Sequence, residues 1–426
     1  MSTGESGQPP PQKNVSSDQR SADRPADVPA ASSGDSADWQ LEELRREPWQ
    51  WWRKQMPIAE KWAYFDHAAV APLSLRAAAA IGRFADQAAR AGDTAWPQWS
   101  AGLGRLRGQT AELLSCERGE VCLIPNTTTG INLVAQGWPW QAGDSVVVPQ
   151  GEFPSNLFPW MNLQSRGVQL RLVPRRDGEV WVEDLIDRVD ASTKMIAVSW
   201  VGYASGYRLD VDRLVDQAHR RGVAVFLDAI QGLGMYPLDL SATDVDFLAA
   251  DGHKWLLGPE GAGVAVIRRR HLERIECLNV GWGSVKNSHN YAQPELALRE
   301  DASRFESGSA NMLGNAALSE SMQMFLDVRR VHGTDAIERR VVQLVDQLNE
   351  KLRQVGATSR LPRHQSNQSG IFTFELPGTE PAAFRERALQ QGVVVSCRDG
   401  GIRASVHAYN NAEDIDRLIQ VAASFG

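Results

Sequence analysis

The 426-residue sequence lacks the features that mark membrane, secreted and nucleic-acid-binding proteins. It contains no run of about 18 apolar residues, so we expect no membrane span. No basic patch followed by an apolar stretch opens the chain, so we expect no secretory signal. The net charge of −7 comes without a basic stripe, which argues against a nucleic-acid partner.

Cysteine is scarce, with four residues and no Cys-x-x-Cys pair. This pattern gives neither a zinc site nor a disulfide framework, so we expect no metal and a reduced, cytoplasmic protein. Lysine is scarce as well, because only seven of the 45 basic residues are lysines. A lysine in an apolar segment therefore stands out.

The remaining composition is ordinary, with 42% hydrophobic and 23% charged residues, which excludes a wholly disordered, collagen-like or coiled-coil chain. The length predicts two or three domains. Residues 1–37 hold few large apolar side chains and are predicted to be a disordered tail. We predict an N-terminal helical segment over 38–69 that joins the small domain, a large domain over 70–315 and a small C-terminal domain over 316–426.

Apolar runs alternate with helical patterns after residue 100. Nearly continuous apolar runs are typical of strands covered on both faces, so the alternation predicts an α/β fold with a parallel-type sheet. Beyond residue 316, two strand patterns and two helical patterns predict a smaller α+β domain. The predicted strands of the large domain are 121–124, 145–148, 169–173, 195–201, 223–227, 246–249 and 263–267.

Three glycines, Gly102, Gly104 and Gly108, superficially match a dinucleotide-binding loop. No strand precedes them and the third glycine is one residue late, so we predict a helix over 101–115 and no nicotinamide site. The sequence also has no GxxxxGK[ST] phosphate loop, which disfavours an unrelated nucleotide-binding protein.

Two apolar strands are followed by residues that can do chemistry. Asp228 ends one of them, where α/β sheets bind ligands, although an aspartate that caps a turn would give the same pattern. Lys254 follows another strand and precedes Trp255. Loss of water around such a lysine favours the neutral amine, which is a nucleophile or a base, although the lysine alone could also be a surface residue.

The segment Asn126–Thr129 follows the predicted strand 121–124 and opens a helix. Hydroxyl groups and free backbone amides at a helix N-terminus form an anion site. Simple N-capping would use the same residues, so this segment alone leaves both readings open.

Together these motifs resemble the class V, fold-type I enzymes that depend on pyridoxal phosphate (PLP). That group contains cysteine desulfurases, selenocysteine lyases, isopenicillin-N-epimerase-like proteins and class V aminotransferases, and the resemblance lies nearest the last two. It covers about residues 62–425 and implies that 70–315 is the PLP-binding domain, with a mixed, mostly parallel seven-stranded sheet. The motifs that carry it are Tyr64–His67, the threonine turn, Gly151–Trp160, Asp228–Gln231, Gly252–Lys254, Arg304–Ser309 and Arg403–Asn410.

The resemblance implies catalytic roles for Lys254 and Asp228. Lys254 corresponds to the Schiff-base lysine, which acts as general base and acid at the substrate's α carbon once the substrate amine has freed it. Asp228 corresponds to the carboxylate that faces the pyridine nitrogen and keeps it protonated.

The other implied cofactor contacts come from several segments. Gln231 corresponds to the side chain that hydrogen-bonds the ring hydroxyl, while Thr127, Thr128 and His253 correspond to the phosphate site. Ser309 stands where the family has a threonine that reaches the phosphate of the other subunit. The resemblance therefore implies a homodimer with the active site at the interface.

The substrate side of the site is implied in the same way. Arg403 matches the arginine that binds the substrate carboxylate, and Arg398 lies near a second family arginine. Phe153 stands where cysteine desulfurases have a histidine stacked on the cofactor, and it can stack without transferring protons. Asn156 falls on a family asparagine near the ring, where a packing role fits equally well.

Three departures from the family pattern bear on the reaction. Cys397 lies in a compact segment that lacks the mobile loop carrying the catalytic cysteine of desulfurases. Asp251 replaces a small hydroxyl residue near the expected phosphate, and because a carboxylate would repel that group, we expect it to point elsewhere. Gly202 stands where many relatives have an asparagine, and Tyr203 or Ser205 is the candidate replacement.

The main hypothesis is a class V aminotransferase-like enzyme that acts on an amino acid through a Lys254 Schiff base. A cysteine desulfurase or C–S lyase, an isopenicillin-N-epimerase-like enzyme and a catalytically inactive relative are the alternatives. The missing cysteine loop counts against the desulfurase.

Overall fold

The structure is a computed structural model that describes residues 35–360 and 367–425. Of the predicted tail over 1–37, residues 1–34 lie outside the described residues, and 35–37 are helical. The helices of the described ranges are α1 (Asp35–Arg46), α2 (Pro48–Lys54), α3 (Leu75–Ala91), α4 (Trp96–Leu114), α5 (Thr127–Gly137), α6 (Phe158–Asn162), α7 (Val182–Asp187), α8 (Val211–His219), α9 (Met312–His332), α10 (Ala336–Gln354), α11 (Pro381–Gln390) and α12 (Ala412–Ala423). The strands are β1 (Ala63–Tyr64), β2 (Val121–Ile124), β3 (Ser145–Pro149), β4 (Gln169–Val173), β5 (Thr193–Ser199), β6 (Ala224–Asp228), β7 (Phe247–Asp251), β8 (Gly263–Ile267), β9 (Thr358–Ser359), β10 (Ile371–Glu375), β11 (Val393–Val394), β12 (Ser396–Arg398) and β13 (Gly401–Ser405).

A seven-stranded sheet occupies the centre of the fold, in the order β2-β8-β7-β6-β5-β3-β4. Strand β8 is antiparallel to both of its neighbours, and every other neighbouring pair is parallel. This arrangement confirms the predicted mixed, mostly parallel sheet. It also directs the carboxyl ends of β2, β3, β5, β6 and β7 toward one edge.

Each strand of the sheet lies within two residues of its predicted bounds. The differences matter at the ends of β6 and β7, because Asp228 and Asp251 both lie inside their strands. The backbone of Asp251 pairs with Gly263 of β8, which extends β7 beyond its apolar run. The predicted helix over 101–115 corresponds to α4, so Gly102, Gly104 and Gly108 form no phosphate loop.

Both faces of this sheet are covered by apolar side chains. Because successive residues of a strand point to opposite faces, Val146 and Val148 belong to one buried cluster together with Ile131 of α5. Val147 belongs to the second cluster, which contains Leu214 of α8. The nearly continuous apolar runs of the sequence arise from this double coverage.

A smaller antiparallel sheet, in the order β12-β13-β10-β9, lies in the C-terminal part of the chain. Strand β1 pairs in parallel with β11, which ties the segment before Asp66 to the C-terminal part, and Asp66 itself bridges Ser405. The predicted domain boundary between residues 315 and 316 falls inside α9 and stays a prediction. No helix of the described ranges is long and apolar enough to cross a membrane.

Candidate active site

A cavity of about 360 Å³ opens at the edge where the parallel strands end. Its walls come from the residues that follow β2, β3, β5, β6 and β7, together with β12 and β13. The lining residues include Asn126, Thr127, Thr128, Phe153, Ser199, Tyr203, Asp228, Gln231, Asp251, His253, Lys254, Arg398 and Arg403. Of the residues predicted to hold the cofactor or the substrate carboxylate, Thr127, Thr128, Phe153, Asp228, Gln231, His253, Lys254, Arg398 and Arg403 line this one cavity, and Ser309 does not.

Lys254 is the one buried lysine among the lysines of the described ranges, with 9% of its surface exposed. Burial lowers its pKa from 10.5 to about 8, while the negative charge of Asp228 opposes this change. Its Nζ atom lies 5.6 Å from the centre of the Phe153 ring. The amine thus reaches its neutral, nucleophilic form near neutral pH.

Asp228 is buried at the last position of β6. Its Oδ1 atom accepts a hydrogen bond of 3.1 Å from the backbone N–H of Ile230. Burial raises the carboxyl pKa to about 6, whereas that hydrogen bond and the nearby Lys254 lower it. The carboxylate form is therefore stabilised most when a positive charge lies beside it.

Both polar atoms of the Gln231 side-chain amide are hydrogen-bonded. Its Oε1 atom accepts a hydrogen bond of 2.7 Å from the indole N–H of Trp255, and its Nε2 atom donates one of 3.1 Å to the carbonyl of Ala68. One Nε2 hydrogen has no partner among the described residues and remains available to a ligand in the cavity.

One end of the cavity is formed by the N-terminus of α5. The Asn126 side chain caps this helix by accepting from the Thr129 N–H at 2.9 Å. Thr127 Oγ1 accepts from the Asp251 N–H at 2.9 Å, and Thr128 Oγ1 donates to Ser155 Oγ at 2.8 Å. Hydroxyl groups and the first amides of a helix are thereby gathered where an anion can bind.

Asp251 is among the lining residues at this end, next to Thr127, and the expectation that its carboxylate points away from a bound phosphate stays a prediction. Its Oδ2 atom lies 3.1 Å from Nδ1 of His253. That contact lacks hydrogen-bond geometry, and both Asp251 Oδ1 and His253 Nδ1 are buried without a partner. Two polar groups at the anion end therefore have hydrogen-bonding capacity left.

Arg403 lies on β13 with 1% of its surface exposed and is held by three contacts. Its Nε donates to Ser396 Oγ at 3.1 Å, Nη1 donates to the Tyr203 carbonyl at 2.7 Å, and Nη2 donates to Asp66 Oδ1 at 3.2 Å. Two of its five N–H donors remain free, which is the number that one carboxylate can accept in bidentate form.

Phe153 forms the open side of the cavity and is 44% exposed. Its ring meets Tyr203 edge to face, with 5.3 Å between the ring centres. Of the residues considered for the missing asparagine, Tyr203 lines the cavity, whereas Gly202 and Ser205 do not. A side chain at Gly202 would require the Ser205 hydroxyl to move, because an added Cβ would lie 2.7 Å from Ser205 Oγ.

A carboxyl group that the sequence analysis missed lies beneath this site. Glu152 accepts a hydrogen bond of 2.8 Å from the Ser199 N–H and contacts the Ser199 hydroxyl. Burial, reinforced by the charge of Asp228, raises the Glu152 pKa to about 7. Glu152 immediately precedes Phe153 in the motif Gly151–Trp160. This adjacency to a predicted site residue is the feature of the sequence that could have identified it.

Three candidate residues lie away from the cavity. Ser309 lines a separate cavity of about 250 Å³ together with Thr129 and Asn311. Cys397 donates its thiol to the Pro381 carbonyl at 3.2 Å, and burial raises its pKa. Asn156 accepts from the Trp160 indole at 3.1 Å, which is a packing contact.

The side chains that line the cavity match the groups that pyridoxal phosphate needs. Lys254 offers an amine, Asp228 offers a buried carboxylate for a protonated ring nitrogen, and the α5 terminus offers donors for a phosphate. The unpartnered Nδ1 of His253 lies at that same end and can donate to a phosphate, whereas Asp251 offers only carboxylate oxygens, which accept. No group of three or more potential metal-ligating side chains occurs in the described ranges.

Comparison with known proteins agrees with a pyridoxal phosphate site. Residues 63–418 match the family model described as Aminotransferase class-V. A probable cysteine desulfurase of Methanothermobacter thermautotrophicus is 28% identical over 86% of this chain and 95% of its own length. An uncharacterized aminotransferase of Schizosaccharomyces pombe is 28% identical over 87% of this chain and 94% of its own length.

Solved structures show the same fold. The cystine C–S lyase C-DES, in complex with its product cysteine persulfide, superimposes with a TM-score of 0.81 at 23% identity, over 87% of this chain and 100% of its own. The apo cysteine desulfurase of Thermococcus onnurineus NA1 gives a TM-score of 0.78 at 24% identity, over 87% of this chain and 96% of its own. At these identities the likeness establishes the fold alone.

Proposed function

The chain belongs to the class V aminotransferase family of PLP-dependent enzymes, and from that premise we propose that it transaminates an α-amino acid with Lys254 as the proton carrier. One observation carries the proposal. The buried amine of Lys254, the carboxyl group of Asp228 and the guanidinium of Arg403 line a single cavity at the carboxyl edge of the sheet. That cavity can hold the cofactor and an amino-acid carboxylate together.

When bound, pyridoxal phosphate supplies an electron sink for the electron pair left on the substrate's α carbon. The chain's own residues position it. Asp228 would hold a proton on the ring nitrogen, and the free Nε2 hydrogen of Gln231 would be donated to the ring hydroxyl. Thr127, Thr128 and the α5 amides would hold the phosphate, with His253 beside them.

Arg403 would orient the substrate by its carboxylate, in the same cavity as the Lys254 amine. As a neutral amine, Lys254 would take up the proton from the α carbon, and as an ammonium group it would hold that proton for later release. An amine with a pKa of about 8 suits this task, because it exists in both protonation states near neutral pH.

A second candidate is cysteine C–S lyase or desulfurase chemistry. It is favoured by the relatives, which include a probable cysteine desulfurase and the lyase C-DES. A desulfurase that stores sulfur on its own cysteine is disfavoured, because none of the four cysteines lines the cavity. A lyase that releases its product directly needs no such residue.

The deciding experiment is to add single L-amino acids to the purified holoenzyme without a keto-acid acceptor. Transamination predicts one equivalent of 2-oxo acid per site and a lasting loss of the visible cofactor band. Sulfide or persulfide from cysteine or cystine, with recovery of the band, would replace this proposal by the lyase. Recovery with inverted substrate and no other product would indicate an epimerase.

The pH dependence of cofactor capture tests Lys254 before any turnover. Because burial lowers its pKa to about 8, covalent capture of pyridoxal phosphate by apoenzyme is expected to be about tenfold faster at pH 9 than at pH 7. The measurement is stopped-flow absorbance, with a free lysine derivative as reference. A profile centred near 10.5, the ordinary lysine value, would contradict a buried reactive amine.

We further propose a homodimer in which Ser309 completes the partner's phosphate site. Ser309 does not line the cavity of its own chain. Phe158, Leu278, Tyr291 and Leu296 are large apolar side chains that are each more than half exposed, and a homodimer could bury them. We also propose a reducing, cytoplasmic location, which the four free thiols support.

Mixing inactive variants tests this arrangement. K254A and S309D homodimers are each expected to be weakly active or inactive, whereas refolded mixtures should regain about a quarter of the wild-type sites, since hybrids hold one intact site. Activity and mass by light scattering are the readouts. A monomer in solution, or no recovery in the mixture, would contradict the shared site.

A further inference from the structure

Arg398 is a second guanidinium that lines the active-site cavity. It is half-buried, and its Nη1 atom donates to the carbonyl of the preceding residue, Cys397, at 2.7 Å. Among the described residues, no carboxylate forms an ion pair with it. Its remaining N–H donors are therefore available to something that enters the cavity.

The small sheet places Arg398 beside Arg403. Ser396 pairs with Arg403, and Arg398 pairs with Gly401, across the antiparallel strands β12 and β13. Residues two apart on a strand share a face, so Arg398 lies on the same face as Ser396, whose hydroxyl accepts from Arg403. Both guanidinium groups therefore belong to one side of the small sheet.

Their surroundings differ in charge. Arg403 has a carboxylate neighbour in Asp66, at 3.2 Å, and two free donors, which one α-carboxylate can use in full. Within residues 35–360 and 367–425, Arg398 has no carboxylate in an ion pair with it. The positive charges of Arg398 and Arg403 both act on the Lys254 amine and contribute to its lowered pKa. One carboxylate on the substrate would leave the positive charge of Arg398 without a partner in a half-buried place.

We propose that Arg398 binds a second carboxylate, at the end of the substrate's side chain, so that the substrate class is the dicarboxylic L-amino acids. This inference rests on the proposed function, which it narrows from amino acids in general to those resembling aspartate and glutamate. Arg398 is thereby a specificity-determining residue, while Arg403 receives the carboxylate that all amino acids share.

The first experiment measures dissociation constants by cofactor absorbance in the holoenzyme. L-Aspartate is compared with L-asparagine, and L-glutamate with L-glutamine, because each pair differs mainly in one charge. Arg398→Gln is expected to raise the dissociation constant of the acidic member of the preferred pair by roughly 10- to 100-fold. The dissociation constant of the neutral member should rise by less than threefold. Arg385→Gln is the matched control, since Arg385 is exposed, affects the charge near Cys397 and does not line the cavity.

An equal loss for acidic and neutral substrates would overturn the inference, because Arg398 would then bind the shared α-carboxylate. Equal affinity of the wild type for both members of each pair would overturn it as well. Neither result touches the proposed function, which is tested separately by the 2-oxo acid formed and by the lasting loss of the cofactor band.

A second measurement is independent of catalysis. Titration calorimetry on the holoenzyme compares succinate with butyrate and glutarate with valerate, which match in length and differ by one carboxylate. The inference expects at least tenfold tighter binding of one dicarboxylate, and loss of that preference in Arg398→Gln but not in Arg385→Gln. No preference in the wild type would contradict it, whatever reaction the enzyme performs.

Discussion

A Lys254→Ala variant is expected to bind pyridoxal phosphate without a covalent bond and to lose transamination by roughly 10³-fold or more. Lys254 supplies both the amine that attaches the cofactor and the group that moves the α proton, so one substitution removes two functions. Borohydride reduction followed by peptide mass spectrometry measures the attachment. The rate of product formation at a saturating amino-acid concentration measures the loss of transamination.

Lys194→Ala is the matched control for this experiment. Lys194 is a partly exposed lysine that pairs with Asp144 at 3.5 Å, and it does not line the cavity. It is expected to leave both measurements unchanged. Covalent cofactor that persists in Lys254→Ala, attached to a different lysine, would refute the assignment, whereas normal attachment in wild type with no turnover would indicate an inactive relative.

The sequence predicted the large sheet well because its signal is local. Strands such as β3 and β8 are buried on both faces, so they appear as uninterrupted apolar runs whose bounds can be read directly. The ends of β6 and β7 were less accurate. There, polar residues continue the backbone pairing, as Asp251 does with Gly263 of β8, and side-chain polarity carries no information about that pairing.

The cavity was predictable where a motif directly follows a strand. Asp228, Lys254 and the threonine turn all lie at strand ends, and a parallel sheet brings such ends to one edge. Contacts between distant segments were not predictable. The pairing of Glu152 with Ser199 and the approach of Asp251 to His253 depend on side-chain directions that the sequence pattern does not encode.

Arg403→Ala is expected to weaken amino-acid binding by several kcal/mol, about 100- to 1,000-fold in the dissociation constant. The two free donors of Arg403, a side chain that is 1% exposed, would form charge-assisted hydrogen bonds with the substrate carboxylate. Titration of the cofactor absorbance with L-amino acids measures the change. The same titration with simple amines that lack a carboxylate should give nearly wild-type values.

The comparison of amines with amino acids separates binding from folding. Removing the guanidinium leaves the Ser396 hydroxyl, the Tyr203 carbonyl and the Asp66 carboxylate without their partner, so a lower free energy of unfolding is expected as well. A general loss of structure would weaken both classes of ligand alike. Arg403→Lys restores the positive charge but not the paired N–H donors of the guanidinium. It should recover part of the affinity for amino acids and leave the affinity for simple amines unchanged. If amines and amino acids instead suffer equally in a variant that remains folded, Arg403 supports the wall of the cavity and the substrate carboxylate binds elsewhere.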